Sequence, residues 1–221
     1  MRIVGLLATL SGCGPAVGTP TCGIDSIDYF PFDGTRVWEY YNTDPLVTFK
    51  LIGLQLADST KLGDINLYDI EHRVDCVSTD PSCVDDRLLR TTRWSSDGQD
   101  GTMIHQIIVD GLTTTFDPPI FFAEDKVCTD DVVDTATSAG TFSVTYMGIE
   151  PCPLQMTVDW ECMRFTVDDG GSSAVGPSLN GDYWFSVGYN LVALDLASDV
   201  EGRWEAGGID CEPIESCDGI W

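Results

Sequence analysis

Lysine is nearly missing from this 221-residue chain, occurring at positions 50, 61 and 126 and nowhere else. With arginine the basic residues total 11 against 36 Asp plus Glu, a net charge of −25. That balance excludes the counterion-releasing phosphate contacts that hold proteins on nucleic acid. It equally excludes the basic clusters that hold proteins on anionic lipid. Histidine is scarce too, with only His72 and His105. A Ser–His–acid triad would have to use one of them, yet the chain has no G-x-S-x-G elbow and no H-E-x-x-H metal pattern. Both histidines sit at strand-like spacing, in IEHRV and TMIHQII. No two cysteines stand at C-x-x-C spacing, which argues against a zinc or redox motif. The apolar stretch VTFKLIGLQLA from Val47 is broken by Lys50 and Gln55, well short of the roughly 20 residues a membrane helix needs. No window of 11 residues keeps a helical period of 3.6, and no repeat of 20–50 residues is present.

What is present is alternation. Apolar residues make up 43% of the chain, enough for a core and too many for a wholly disordered chain. Strand patterns run over Val37–Tyr41, Val47–Leu56, Ile65–Val74, Arg87–Trp94, Met103–Val109, Thr141–Met147, Leu154–Val167, Tyr183–Val187 and Leu191–Asp195. Asp110-Gly111 between two β-rich runs is a strong short-range hairpin signal. Gly and Asp punctuate nearly every other gap. The pattern predicts an all-β, antiparallel meander in one domain, 28–221, curling into a sandwich or half-barrel.

Residues 1–13, MRIVGLLATLSGC, run from one Arg through an apolar stretch to small residues and a Cys, the order of a secretory signal. Leu10-Ser11-Gly12-Cys13 resembles the lipobox of bacterial lipoproteins. The resemblance implies a signal peptide over 1–12, diacylglyceryl transfer to the Cys13 sulfur, cleavage before Cys13 and acylation of the new amine. Gly14 stands where an Asp would retain such a protein at the inner membrane, so the resemblance further implies the outer membrane of a bacterial envelope. Multiple acyl chains hold stably where a single chain binds marginally. Residues 13–27, Gly/Pro-rich after the Cys, read as a tether whose far part Cys22 can pin.

With Cys13 lipidated, eight of nine cysteines remain, an even number in an oxidising compartment, and disulfides are expected. Cys76 and Cys83 flank the turn sequence VSTDPS, and Cys211 and Cys217 flank EPIES, so both are expected as local bridges. Cys152 and Cys162 are not expected to pair, because alternation of Leu154, Met156, Val158 and Trp160 reads as a strand. Ten steps of strand span roughly 33 Å, against the ~5.5 Å between Cα atoms that a bridge needs. Cys128 and Cys152 flank a hairpin whose turn is Ser138-Ala139-Gly140 and are expected to meet at its open end. Cys22 and Cys162 then remain for each other.

A second resemblance covers residues 29–195. YFPFDGTRVWEYY from Tyr29 is similar to the "FP…G…W.Y" opening of many uncharacterised exported bacterial lipoproteins. Trp184-Phe185 with Gly188-Tyr189-Asn190-Leu191-Val192 is similar to their late "WF…G.GLV" segment, and Thr137–Phe142 to one of their turns. It implies an all-β domain and carries no activity.

Other chemistry is thinner. Asp97-Gly98-Gln99-Asp100-Gly101 starts like a calcium loop, but Gln99 and Ile108 stand where acids belong, so Asp97 and Asp100 are weak calcium ligands. The pairs Asp130-Asp131, Asp168-Asp169 and Asp210/Glu212 are further options, yet turns favour Asp in any case. Trp38, Tyr40, Tyr41, Tyr183 and Trp184 would suit stacking on a glycan, though such stripes more often fill a core. With 36 acids, some pair suited to glycoside hydrolysis will arise by chance. Asp outnumbers Glu 27 to 9, a surface suited to salt. The sequence thus points to a lipid-anchored envelope lipoprotein serving as a non-enzymatic scaffold or interaction module. It has no required cofactor and a membrane partner through its anchor, with a protein or glycan partner unspecified. The alternative is a calcium- or glycan-binding lipoprotein, and behind it a carboxylate-dependent hydrolase.

Overall fold

A computed structural model of the chain describes residues 21–32, 34–56, 60–62, 65–76, 83–97, 100–197 and 202–212. Fifteen strands follow in order: β1 (Ile24–Asp25), β2 (Thr35–Asn42), β3 (Lys50–Gln55), β4 (Thr60–Leu62), β5 (Ile65–Asp75), β6 (Leu88–Asp97), β7 (Gly101–Val109), β8 (Leu112–Ala123), β9 (Lys126–Val127), β10 (Val132–Thr137), β11 (Gly140–Pro151), β12 (Glu161–Asp168), β13 (Gly181–Ser186), β14 (Asn190–Leu196) and β15 (Trp204–Glu212). Single 3-10 turns lie at Ile27–Tyr29 and Gly176–Ser178.

Twelve strands pair in the order β10-β11-β12-β13-β14-β15-β2-β3-β5-β6-β7-β8, with β4 attached to β5. Every ladder is antiparallel. The expected all-β antiparallel class is therefore present, and the curl goes beyond a half-barrel. The two ends of the path, β8 and β10, come back together. No ladder joins them; individual bonds do. The Ser138 N–H donates to Asp117 O at 2.8 Å, the Phe121 N–H to Thr135 Oγ1 at 3.1 Å, and the Ser138 hydroxyl to Thr115 O at 3.1 Å. The result is a nearly closed barrel with one seam.

Alternation decides what faces in. In β5, Ile70, His72 and Val74 are buried while Glu71 and Arg73 between them are half-buried. The interior is aromatic: Phe122, Phe165, Phe185, Tyr183 and Trp94 pack ring against ring. Each such pair contributes about 0.5–1.5 kcal/mol beyond its area. The outer face carries ion pairs, among them Arg93–Asp69 at 2.7 Å, Arg73–Glu71 at 2.8 Å and Arg164–Asp182 at 2.6 Å. An apolar inside and charged outside is the inverse of a lipid-facing barrel. Among the described residues no helix is long and apolar enough to cross a membrane.

The Asp110-Gly111 hairpin forms as the sequence predicts. Asp110 and Gly111 have φ of 50° and 75°, and Val109 faces Leu112. That pair of left-handed residues matches the right-handed twist of the strands on either side.

The strand expected over Leu154–Val167 is a correction. Residues 152–160 are a loop and β12 begins only at Glu161. Pro151 pairs with Glu161 at the end of the β11–β12 ladder, so residues 152–160 are the connection that turns the chain back, and Pro153 has no N–H with which to extend the ladder. The disulfides change accordingly. Cys76–Cys83 forms as expected. Cys152 pairs with Cys162, not Cys128, their Cα atoms 4.9 Å apart. β11 is twice as long as β10, so its far end runs alongside β12 alone and brings Cys152 beside Cys162. Cys22 pairs with Cys128, not Cys162. β1 pairs with β9, Ile24 against Val127, and the Thr129 N–H donates to Thr21 O at 3.0 Å, which sets the two cysteines side by side. Cys13 and Cys217 lie outside the described residues, as does the side chain of Cys211, so the expected lipidation and the expected Cys211–Cys217 bridge fall there. Residues 21–27, read as the end of the tether, are folded onto the barrel.

Candidate functional site

Two regions combine unusual chemistry with a defined place in the barrel. The first is the end closed by the N-terminal segment. Phe30 enters the aromatic core, its ring centroid 4.6 Å from Phe185, 5.9 Å from Phe165 and 6.0 Å from Phe122. Behind it the backbone is held by buried polar side chains. Arg36, fully buried, donates from Nη1 to Pro31 O at 2.9 Å and from Nε to Gly188 O at 3.0 Å. Gln55 donates to Gly34 O at 2.7 Å and Pro31 O at 3.1 Å, and its own oxygen accepts from Asn190 Nδ2 at 2.8 Å. On β2, the Trp38 Nε1–H donates to Tyr189 O at 3.0 Å and the Tyr40 hydroxyl to Leu191 O at 2.7 Å. The "FP…G…W.Y" and "WF…G.GLV" segments, about 150 residues apart, are therefore one interlocked unit. Their side chains satisfy buried carbonyls, which are costly to leave unpaired.

The second region is the seam. β8 and β10 are tied together by single bonds from Thr115–Ser138 to Phe121–Thr135 and share no ladder. A cavity of about 270 Å³ opens between them, lined by Phe122, Ala123, Val127, Val133, Val144, Tyr146 and Phe165, with Glu124, Lys126, Asp131 and Val132 completing the wall. Tyr146 is 2% exposed and its hydroxyl has no hydrogen-bond partner. Burial first, and then the Tyr29 hydroxyl nearby, push the Tyr146 phenol up to about 12, so it is a standing donor at neutral pH. Asp131 turns one carboxylate oxygen to the Cys128 N–H at 2.6 Å. Lys126 is exposed, and its backbone pairs with Asp25 of β1.

The residues singled out by sequence are dispersed. Asp97 ends β6, opposite Gly101, and Asp100 is exposed in the turn that follows. Other acids are engaged by neighbours, Asp134 across the β10–β11 ladder and Asp169 within its turn. Asp134 accepts from the Ser143 hydroxyl, and Asp169 accepts from the Gly171 and Ser173 N–H groups and Asn180 Nδ2. Burial raises the Asp169 carboxyl, but these hydrogen bonds outweigh it and hold the group below its ordinary value. Among the described residues no three His, Cys, Asp or Glu side chains gather as a metal would require. Trp38, Tyr40, Tyr183 and Trp184 are buried, and the half-buried Tyr41 has Lys50 over its ring at 4.9 Å. These aromatics are core and ladder residues rather than an exposed sugar platform.

His72 lies inside the barrel, 2% exposed, its ring 5.9 Å from Tyr40, with neither nitrogen partnered. Burial, reinforced by Arg90, holds it well below the ordinary imidazole range. His105 occupies a bulge of β7, where Nε2 lies 2.8 Å from Ser95 Oγ. Burial and then Arg93 lower its pKa. No carboxylate among the described residues hydrogen-bonds its other nitrogen, so the pair lacks the third group that orients an acyl-transfer base.

No family profile, curated protein or solved structure matches this chain. The cavity went unread in the sequence because it arises from the mismatch of two strand edges, β8 and β10, and no local pattern encodes that pairing. The nearest signal is Asp117-Pro118-Pro119 within a strand run, since Pro interrupts a ladder and marks an edge.

Proposed function

We propose that this protein is a lipid-anchored lipoprotein of the bacterial envelope, directed to the outer membrane, whose disulfide-braced barrel is a non-enzymatic interaction module. The observation that carries the reading is the accounting of sulfur. Cys13 stands in a lipobox sequence, and all six cysteines whose side chains are described are bridged. Three disulfides fit an oxidising compartment and sit poorly with a reducing one. The folded segment that begins near Cys22 supports the same reading, because nine residues of chain from Cys13 reach at most about 30 Å, enough to suspend the barrel by its N-terminal end. The non-enzymatic part rests on both histidines and on Trp38, Trp94, Trp184 and Trp204 being buried in the strands of the barrel.

Labelled palmitate incorporation and intact mass of the detergent-extracted protein test it. The expected product begins at Cys13 and carries acyl mass, and Cys13→Ser moves the protein to the soluble fraction. A chain retaining residues before Cys13 without acyl mass, or a Cys13→Ser variant that stays on the membrane, overturns it.

A further inference from the structure

We infer that the rim of the barrel opposite the N-terminal segment is a docking surface for a protein segment that is apolar and basic. This deepens the interaction-module reading and rests on it in one respect, that the barrel acts by binding; lipidation of Cys13 plays no part.

The rim follows from register. Lys50 faces Asp75, Arg73 faces Leu88, Arg90 faces Val109 and Val109 faces Leu112. The β2–β3, β5–β6 and β7–β8 connections therefore leave the sheet at one end. The N-terminal segment sits at the other, where β9 follows the end of β8 and pairs with β1. Each of the three connections presents a large apolar side chain to solvent: Leu46 is 84% exposed, Val84 61% and Leu112 78%. Exposed apolar residues scattered singly are ordinary, but these stand on successive hairpins of one rim. The hairpins are two strands apart, about 10 Å along the rim, so the three tips span about 20 Å. Leu112 stands two residues before Thr114, which faces the fully buried Ile107. That places Leu112 on the inner face of the sheet, at the mouth of the barrel, and not on its charged outer wall. The partner's charge comes from what lies beside the tips. Asp85, Asp86 and Asp110 are exposed in these connections, and among the described residues there they meet one exposed cation, Arg87. Asp86 bonds Arg73 at 3.2 Å, yet its side chain stays 79% exposed. An acidic, apolar rim is complementary to a basic, apolar face, and the net charge of −25 steers such a partner in. The same charge repels a second copy of this chain and an anionic bilayer.

The probe is a 14-residue amphipathic peptide of leucine and lysine, about 21 Å long as a helix, added to the full chain carrying Cys13→Ser. Calorimetry in 0.15 M NaCl is expected to show saturable 1:1 binding with a dissociation constant on the order of 10 μM. Leu46→Ser/Val84→Ser/Leu112→Ser keeps the thermal transition, because all three side chains are exposed, and weakens binding at least tenfold. Met147→Ser/Ile149→Ser/Val158→Ser removes as many exposed apolar side chains away from the rim and changes the affinity less than twofold. Absence of saturable binding overturns the inference. Equal losses from the two triple variants, or none from the first, also overturn it, while leaving a barrel that binds by charge alone. Binding to vesicles of phosphatidylcholine and phosphatidylglycerol that the first triple variant abolishes overturns the choice of partner and assigns the rim to a membrane.

Discussion

Cutting the Cys22–Cys128 bridge tests what the disulfides contribute. This bridge closes a loop of 106 residues, whereas Cys152–Cys162 closes 10 and Cys76–Cys83 closes 7. If a bridge acts by restricting the unfolded chain, the long one contributes about 4.7 kcal/mol and the ten-residue one about 2.7. The nested Cys76–Cys83 loop shortens the long one by only a few residues and changes that figure little, because the dependence is logarithmic. The folded state loses less. β1 still pairs with β9 and Phe30 still packs on Phe185, so the double variant Cys22→Ser/Cys128→Ser keeps its near-UV signal.

For a chain of this length each kcal/mol moves the midpoint by about 2–4 °C. The long-loop variant is expected to melt about 10–19 °C lower, and Cys152→Ser/Cys162→Ser about half as far. Urea unfolding followed by tryptophan fluorescence adds a second readout. The m-value rises in the long-loop variant, because its unfolded state expands and exposes more surface. Equal losses from the two variants, or a long-loop variant that melts within about 3 °C of the parent, would refute the loop-entropy reasoning and assign the stabilisation to local native contacts.

Three further outcomes follow from single positions and from charge. His72 is buried neutral, so its contribution is complete above the ordinary imidazole range and is lost as pH falls toward its depressed folded value; His105, also lowered, acts the same way. Stability from urea melts is expected to fall by up to about 1.4 kcal/mol per pH unit for each such histidine below pH 6.5, and His72→Leu to flatten that slope while being neutral or stabilising at pH 7.5, since both ring nitrogens are unpartnered. A methyl group at Gly53 would meet the Tyr40 ring at 2.6 Å and the Trp38 ring at 3.0 Å, so Gly53→Ala is expected to cost about 1–3 kcal/mol by chemical denaturation, and an unchanged midpoint would show that the two rings can shift. The net charge of −25 destabilises the compact state by self-repulsion, so the thermal midpoint is expected to rise between low salt and 1 M NaCl, against a flat response if the acids are already compensated.

The class of the fold was legible because alternation is a local signal, and inward and outward residues of β2, β5 and β12 sort as their sequences do. Hairpin turns were legible for the same reason at Asp110-Gly111. What the sequence hid was pairing at a distance. β15 follows an acidic stretch and reads weakly alone, yet it joins β14 to β2. The bridges from Cys22 and Cys152 depended on whether 152–160 was strand or loop, and alternation alone misjudged it, because the pairing of Pro151 with Glu161 makes 152–160 the connection between β11 and β12. The seam cavity was invisible, since its wall draws on residues from Phe122 to Phe165 that no spacing relates.

The N-terminal clamp and the cavity are mechanically one feature. β9 supplies Lys126 and Val127 to the cavity wall, and the same two residues form the ladder with Asp25 and Ile24 of β1. Cys22 and Cys128 fasten both strands at one end, while the Ser26 N–H donates to Asp125 O at 2.9 Å and the Ser26 hydroxyl to Glu124 O at the other. A barrel whose edges β8 and β10 hold only by separate bonds needs something to fix the seam, and the clamp does so from outside the main sheet. Releasing it should therefore loosen the wall locally before it loosens the barrel. In amide hydrogen exchange on Cys22→Ser/Cys128→Ser, Lys126 and Val127 are expected to exchange by local opening, faster than Trp184 and Phe185 in the middle of the closed ladder, whose exchange rises only as far as the loss of global stability carries it. Equal rates across all strands would mean that the clamp and the barrel open together, and that the seam has no independent freedom.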